Sequence, residues 1–156
     1  MKNIITILTI ATILCTSCTK EGNNSTVTGT TILSGSNVIP SNTSTATATL
    51  SYTYNANIRT FSYQIDYTGL TDSCTQFGIT KASAGQTFPA ATYQLVNFNT
   101  AVSLQRRTTA SFTGSFIVEG QQMILDELRN GKYAVYLKSK AYNAAGASEV
   151  RGQIAF

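Results

Sequence analysis

The residues able to do chemistry are few and oddly chosen. Seven carboxylates, Glu21, Asp66, Asp72, Glu119, Asp126, Glu127 and Glu149, accompany eleven Lys or Arg, three cysteines and no histidine at all. Without an imidazole, Ser-His-Asp and Cys-His nucleophile activation and His-ligated zinc or copper are excluded. A glycosidase needs two carboxylates facing one another across about 5 to 9 Å. Asp126 and Glu127 are consecutive, so on a helix they point about 100° apart and read as a solvated surface. No acidic run resembles a calcium loop, and Asp72 alone offers at most an incidental ligand. Gly114 and Gly120 lack the strand-loop-helix setting and Lys-Ser/Thr ending of a phosphate loop, and suit bulges or turns. No catalytic residue, metal site or cofactor is expected. The basic residues are dispersed apart from Arg106 and Arg107, which does not make a phosphate-tracking stripe and argues against nucleic acid.

The N-terminus carries an address. Lys2 precedes an apolar run from Ile4 to Leu14, too short for a mature span of a bilayer about 30 Å thick but suited to a signal-peptide core. It ends in Thr16, Ser17 and Cys18, which resembles a bacterial lipobox, with Cys15 where Leu is usual. Residues 1–17 are therefore expected to be a lipoprotein-type signal, Cys18 the lipidated N-terminus, and 18–27 a polar tether whose composition cannot bury enough surface to fold. Several acyl chains on one cysteine would anchor stably in a membrane. The start "SCTKE" resembles lipoproteins of the Bacteroidota, which places the domain at the outer membrane or cell surface. Cys74 is then the lone thiol of the folded part and reads as a small hydrophobe.

These positions must be held by strands. Charged residues make up only 12% of the chain and there are eight Tyr, against about 25% charged on average, a composition suited to pleated surfaces. Ala46 to Tyr54 alternates Ala46, Ala48, Leu50, Tyr52 and Tyr54 with Thr and Ser, and Phe61, Tyr63, Ile65 and Tyr67 repeat the pattern after the turn Asn55 to Asn57. Period-two alternation sets one face inward, so these tyrosines are expected to pack in the core rather than form a sugar-binding platform. Further strands are expected at 28–33, 75–80, 92–98, 109–119, 132–139 and 148–156. A helix is expected at 121–130, with Gly131 as its stop. The loop 81–91 is long enough to carry function. The expected fold is an all-β, immunoglobulin-like antiparallel β-sandwich of about eight strands with one short helix, spanning 28–156.

Two blocks carry a resemblance. "LSGSNVIPSNTSTATATLSYTYNANIRTFSYQIDYTGLT" (Leu33 to Thr71) and "LRNGKYAVYLKSKAYNAAGASEVRGQI" (Leu128 to Ile154) resemble the opening and closing patterns of the chordin-type (CHRD) domain. The resemblance implies histidines at positions that are Gly78, Thr80 and Lys138 here. A lysine in place of an imidazole repels a cation, so no metal role carries over. Glu149 and Arg151 match the closing motif. At i and i+2 of a strand they are expected to share a face, in a structural ion pair with each other or between Arg151 and a cross-strand carboxylate such as Asp66. The resulting expectation is a non-enzymatic envelope lipoprotein that binds a protein or glycan ligand or serves structure at the cell surface. The alternative is a carbohydrate-binding accessory of a glycan-uptake system.

Overall fold

The computed structural model describes residues 26–87, 92–97 (backbone only), 107–118, 123–144 and 147–156. The expected signal 1–17, Cys18, Glu21, Arg106, Glu119, Gly120 and the end of the 81–91 loop lie outside them. No helix among the described residues is long and apolar enough to cross a membrane.

Alternation becomes structure first in a hairpin. β2 (Thr47–Asn55) and β3 (Thr60–Thr68) pair antiparallel, with Leu50 opposite Ile65, Tyr52 opposite Tyr63 and Tyr54 opposite Phe61. All six are buried, while Ser51, Ser62, Gln64 and Asp66 face water. At the turn, Asn55 Oδ1 accepts the Asn57 N–H at 3.0 Å, and the left-handed residue is Arg59 (φ 51°) rather than an asparagine. β1 (Thr26–Ser34) lies on the other side of β2, from Thr26 opposite Asn55 to Ser34 opposite Thr47. Thr26 and Val27, the last two residues of the expected tether, already belong to β1.

The remaining strands are β4 (Cys74–Lys81), β5 (Thr92–Asn97), β6 (Ala110–Ile117), β7 (Tyr133–Ser139) and β8 (Val150–Ile154). All eight form one antiparallel sheet in the order β5-β4-β7-β8-β1-β2-β3-β6. This corrects the expected two-sheet immunoglobulin-like sandwich, because β8 pairs with both β7 and β1 and so joins the two halves. The seam is narrow, with Ser34 opposite Arg151 the one pair in register.

The sheet curls into a half-barrel. β4 and β3 are five strand positions apart, about 24 Å in a flat sheet at about 4.8 Å per strand. Yet Tyr63 of β3 stacks on Phe77 of β4 with ring centroids 5.0 Å apart, and Phe112 of β6 meets Phe77 edge-on at 5.2 Å. The inner faces therefore close on each other around an aromatic core that also holds Phe61, Leu137, Val150 and Ile154. The tyrosines at 52, 54, 63 and 67 are buried in it as the alternation required, and Gly114 sits inside β6 against Tyr63 rather than in a turn.

The helix is shorter than its apolar pattern. α1 (Leu125–Arg129) buries Leu128, with Met123 buried just before it. It stops where Gly131 takes φ 64° and Lys132 N–H reaches Glu127 O at 2.9 Å while Gly131 N–H reaches Leu128 O at 3.2 Å. That pair of bonds is the Schellman arrangement, which favours glycine because it needs a left-handed residue.

Candidate functional site

The closing motif holds a loop. Val150, Arg151, Gly152 and Gln153 run along β8 with Val150 inward, so Arg151 and Gln153 point from the outer face. Over that face lies the segment 82–87. The Arg151 guanidinium donates to the carbonyl of Gln86 and, at 3.0 Å, to that of Ser83. Gln153 Nε2 lies within 2.7 to 2.8 Å of three carbonyls, those of Ala82, Gly131 and Tyr133. One side chain thus reaches the loop and the exit of α1 together. Gly152 lets β1 approach, since a Cβ there would lie 2.5 Å from Thr31 Cγ2 and 2.8 Å from Ile32 O. Burial leaves Arg151 only 2% exposed and lowers its pKa.

Glu149 departs from the expected ion pair with Arg151. Its Oε1 accepts Ser44 Oγ–H at 2.7 Å, Thr71 N–H at 2.7 Å and Thr71 Oγ1–H at 2.8 Å, while Asp66 accepts from Gln64 on the outer face. The salt bridges among the described residues are instead Lys81–Glu127 and Arg129–Asp126. The reason is local. Glu149 stands just before β8, which begins at Val150 opposite Leu137, and its N–H bonds Leu137 O at 2.9 Å. Outside the strand the two-residue period no longer fixes the face on which a side chain lies. A register irregularity between Cys74 and Gln76 lies across β7 at the same end. Glu149 is fully buried there and ties the approach to β2 to the exit of β3, with its Oε2 lacking a hydrogen-bond partner among the described residues.

The three positions that the resemblance marks for histidines do come together. On β4 and β7, Gln76 is opposite Lys138, Gly78 opposite Tyr136 and Thr80 opposite Ala134. Phe77, Ile79, Val135 and Leu137 take the inner face, which leaves Gly78, Thr80 and Lys138 on one outer face of adjacent strands. Tyr136 fills the place between them. A Cβ at Gly78 would collide with its ring, and its hydroxyl donates to Gln76 Oε1 at 3.2 Å. Lys138 Nζ sits 5.9 Å over the same ring, half-buried, with its pKa lowered by that burial. Among the described residues no three of His, Cys, Asp and Glu come together as a ligand set.

A cleft of about 310 Å³ opens between the 82–87 loop and α1, lined by Lys81, Ser83, Gln86, Asp126, Glu127, Asn130 and Lys132. Glu127 anchors it. Lys81 Nζ donates to Glu127 Oε1 at 2.6 Å, and Tyr133, fully buried, donates its hydroxyl to Oε2 at 3.0 Å while accepting Ile124 N–H at 3.0 Å. The Lys81 hydrogen bond is the main cause holding the Glu127 carboxyl below its ordinary value. Glu127 is therefore more than the solvated helix charge expected from its position beside Asp126. Asp72 accepts Ser73 N–H elsewhere. The thiol of Cys74 is buried and pushed up to about 12, chiefly by desolvation.

Sequence reasoning did not single out Gln153 or the Lys81–Glu127 pair. Gln153 was visible only as a letter of the closing motif, and Lys81 and Glu127 are separated by 46 positions with no shared pattern. No curated protein and no solved structure matches the chain. The model of the CHRD domain matches residues 29–154, from within β1 to the end of β8, and includes the Arg151-Gly152-Gln153 clamp. The chain belongs to the CHRD domain family.

Proposed function

We propose that this chain is a non-enzymatic, lipid-anchored protein of the cell envelope whose CHRD domain acts in binding or structure at the cell surface. Membership of the CHRD domain family supports the binding or structural part. The observation that carries the non-enzymatic part is where the buried charges go. Arg151 is committed to the carbonyls of Ser83 and Gln86, and Glu149 to Ser44 and Thr71. Both fasten loops, and the buried thiol of Cys74 is pushed away from its reactive form. The anchor is supported by the lipobox-like Thr16-Ser17-Cys18 and by the short reach to β1. At most about 28 Å of extended chain separates Cys18 from Thr26, so a lipid on Cys18 would keep the domain close to the bilayer. The membrane is then the partner through the anchor, and a protein or glycan is the further ligand. Among the described residues no aromatic ring is among the exposed large hydrophobics, which are Ile32, Ile58, Ile117 and Ile124. The described rings that reach the surface, Phe116, Tyr142 and Phe156, are only partly exposed, which gives little support to a stacking platform for sugars.

The test is fractionation. The native chain is expected in membranes, labelled by a fatty-acid analogue and open to protease on intact cells. Cys18→Ala is expected to lose the label and move to the soluble fraction. Unchanged partition of Cys18→Ala refutes the anchor.

A further inference from the structure

The cleft between the 82–87 loop and α1 is built like a site. Its loop wall hangs from Arg151 and Gln153, and Gln153 also holds Gly131 at the end of α1. Its floor is fixed by Glu127 between Lys81 and the buried Tyr133. Positions held in this way by packing and hydrogen bonds are pre-organised, so ordering them costs a ligand little.

The lining chemistry selects the ligand class. Every lining side chain carries a hydrogen-bonding group, and the two ammonium groups of Lys81 and Lys132 balance the two carboxylates of Asp126 and Glu127. An apolar ligand would strand these groups from water. An ion of either sign would meet as much repulsion as attraction. A Lys–Glu pair 2.6 Å apart presents a donor beside an acceptor. That is the complement of neighbouring hydroxyls, each of which both donates and accepts. We propose that this cleft binds a neutral saccharide through hydroxyl hydrogen bonds. The inference rests on the binding reading above and gives it a ligand class. With no ring in the described lining, a few hydrogen bonds exchanged against water set the affinity on the order of millimolar.

The full chain carrying Cys18→Ala is titrated with maltose and with cellobiose, and with glucuronate and glycylglycine as an anion and a zwitterion, by saturation-transfer NMR and calorimetry. Saturable binding of at least one disaccharide is expected. It should be about tenfold weaker in Asn130→Ala and Lys132→Met, the scale of one hydrogen bond to a charged or polar group. Lys132 is exposed and its unfolding midpoint should not change, while Asn130 Nδ2 also donates to Asp126 O at 2.6 Å at the end of α1, so the midpoint of each variant separates lost binding from lost fold. Thr113→Ala, exposed on the far part of the sheet, is expected to leave binding unchanged. Absence of disaccharide binding up to about 50 mM overturns the proposal, as does tighter binding of glucuronate or glycylglycine, or indifference to both cleft variants. Membrane partition of the Cys18 chain is read separately, so loss of the anchor and failure of the cleft are distinguishable.

Discussion

Replacing Arg151 by methionine keeps most of the aliphatic stem and removes the guanidinium that carries the 82–87 loop. At least two hydrogen bonds disappear, to Ser83 O and Gln86 O. Bonds to a charged donor contribute about 1.5–3 kcal/mol each, so the gross loss is about 3–6 kcal/mol. Part of this is returned, because the guanidinium is desolvated in the fold, the same burial that lowers its pKa. The freed carbonyls can also rehydrate if the loop lifts. A net destabilisation of about 2–4 kcal/mol is expected, within the 5–15 kcal/mol that a domain of this size commands. At a urea slope of about 2 kcal/mol/M, the midpoint falls by about 1–2 M. The local signature is sharper than the global one. Peptides spanning 82–87 should exchange amide hydrogens faster in Arg151→Met well below the unfolding transition, since the Gln86 N–H to Ser83 O bond at 3.1 Å loses its support. Arg151→Lys is expected to fall between, because one ammonium lacks the planar fork that reaches both carbonyls. A loss under about 1 kcal/mol with unchanged exchange over 82–87 would show that the loop is held by something other than Arg151.

Gly78→Ala should cost about 1–3 kcal/mol by driving a methyl into the Tyr136 ring. Most of that cost should vanish in a Tyr136→Ala background, and additive urea-denaturation values in the double-mutant cycle would contradict the contact. In a chain carrying Cys15→Ser and Cys18→Ala, Cys74 should stay unmodified by iodoacetamide at pH 9, where an unperturbed thiol is half ionised, because its own value is pushed up to about 12. Rapid alkylation of the native protein at that pH would refute the burial. Glu127 has a folded value below its unfolded one, so the Lys81 pair contributes above the unfolded carboxyl's range and is lost as pH falls through the folded value. A carbon NMR titration should show Glu127 moving upward in Lys81→Met, and no movement would place the cause elsewhere.

Much of the local structure was legible. Leu50, Tyr52, Tyr54, Phe61, Tyr63 and Ile65 announce their inward face by alternation alone, and Gly131 marks the end of α1. The closing motif pointed to Glu149 and Arg151, but the rule that residues i and i+2 share a face holds only within a strand, and β8 begins at Val150, one residue past Glu149. Nothing in the letters Ser148-Glu149-Val150 marks that boundary. The candidate cleft was less legible still. The 81–91 loop was flagged for its length, while the partner wall, α1, looked like a plain charged helix.

By itself the sequence determined which residues turn inward and that no imidazole chemistry is possible, while Gly78, Thr80 and Lys138 were marked only by the resemblance to the CHRD domain. The first two follow from composition and from a period that each strand carries within its own few residues. Only the tertiary structure decided that the eight strands chain into one curled sheet, that Tyr63 meets Phe77, that Glu149 and Arg151 separate, and that Lys81 reaches Glu127. Alternation fixes a face but leaves open the order in which strands join and how far the sheet bends, and contacts across a closed half-barrel depend on both.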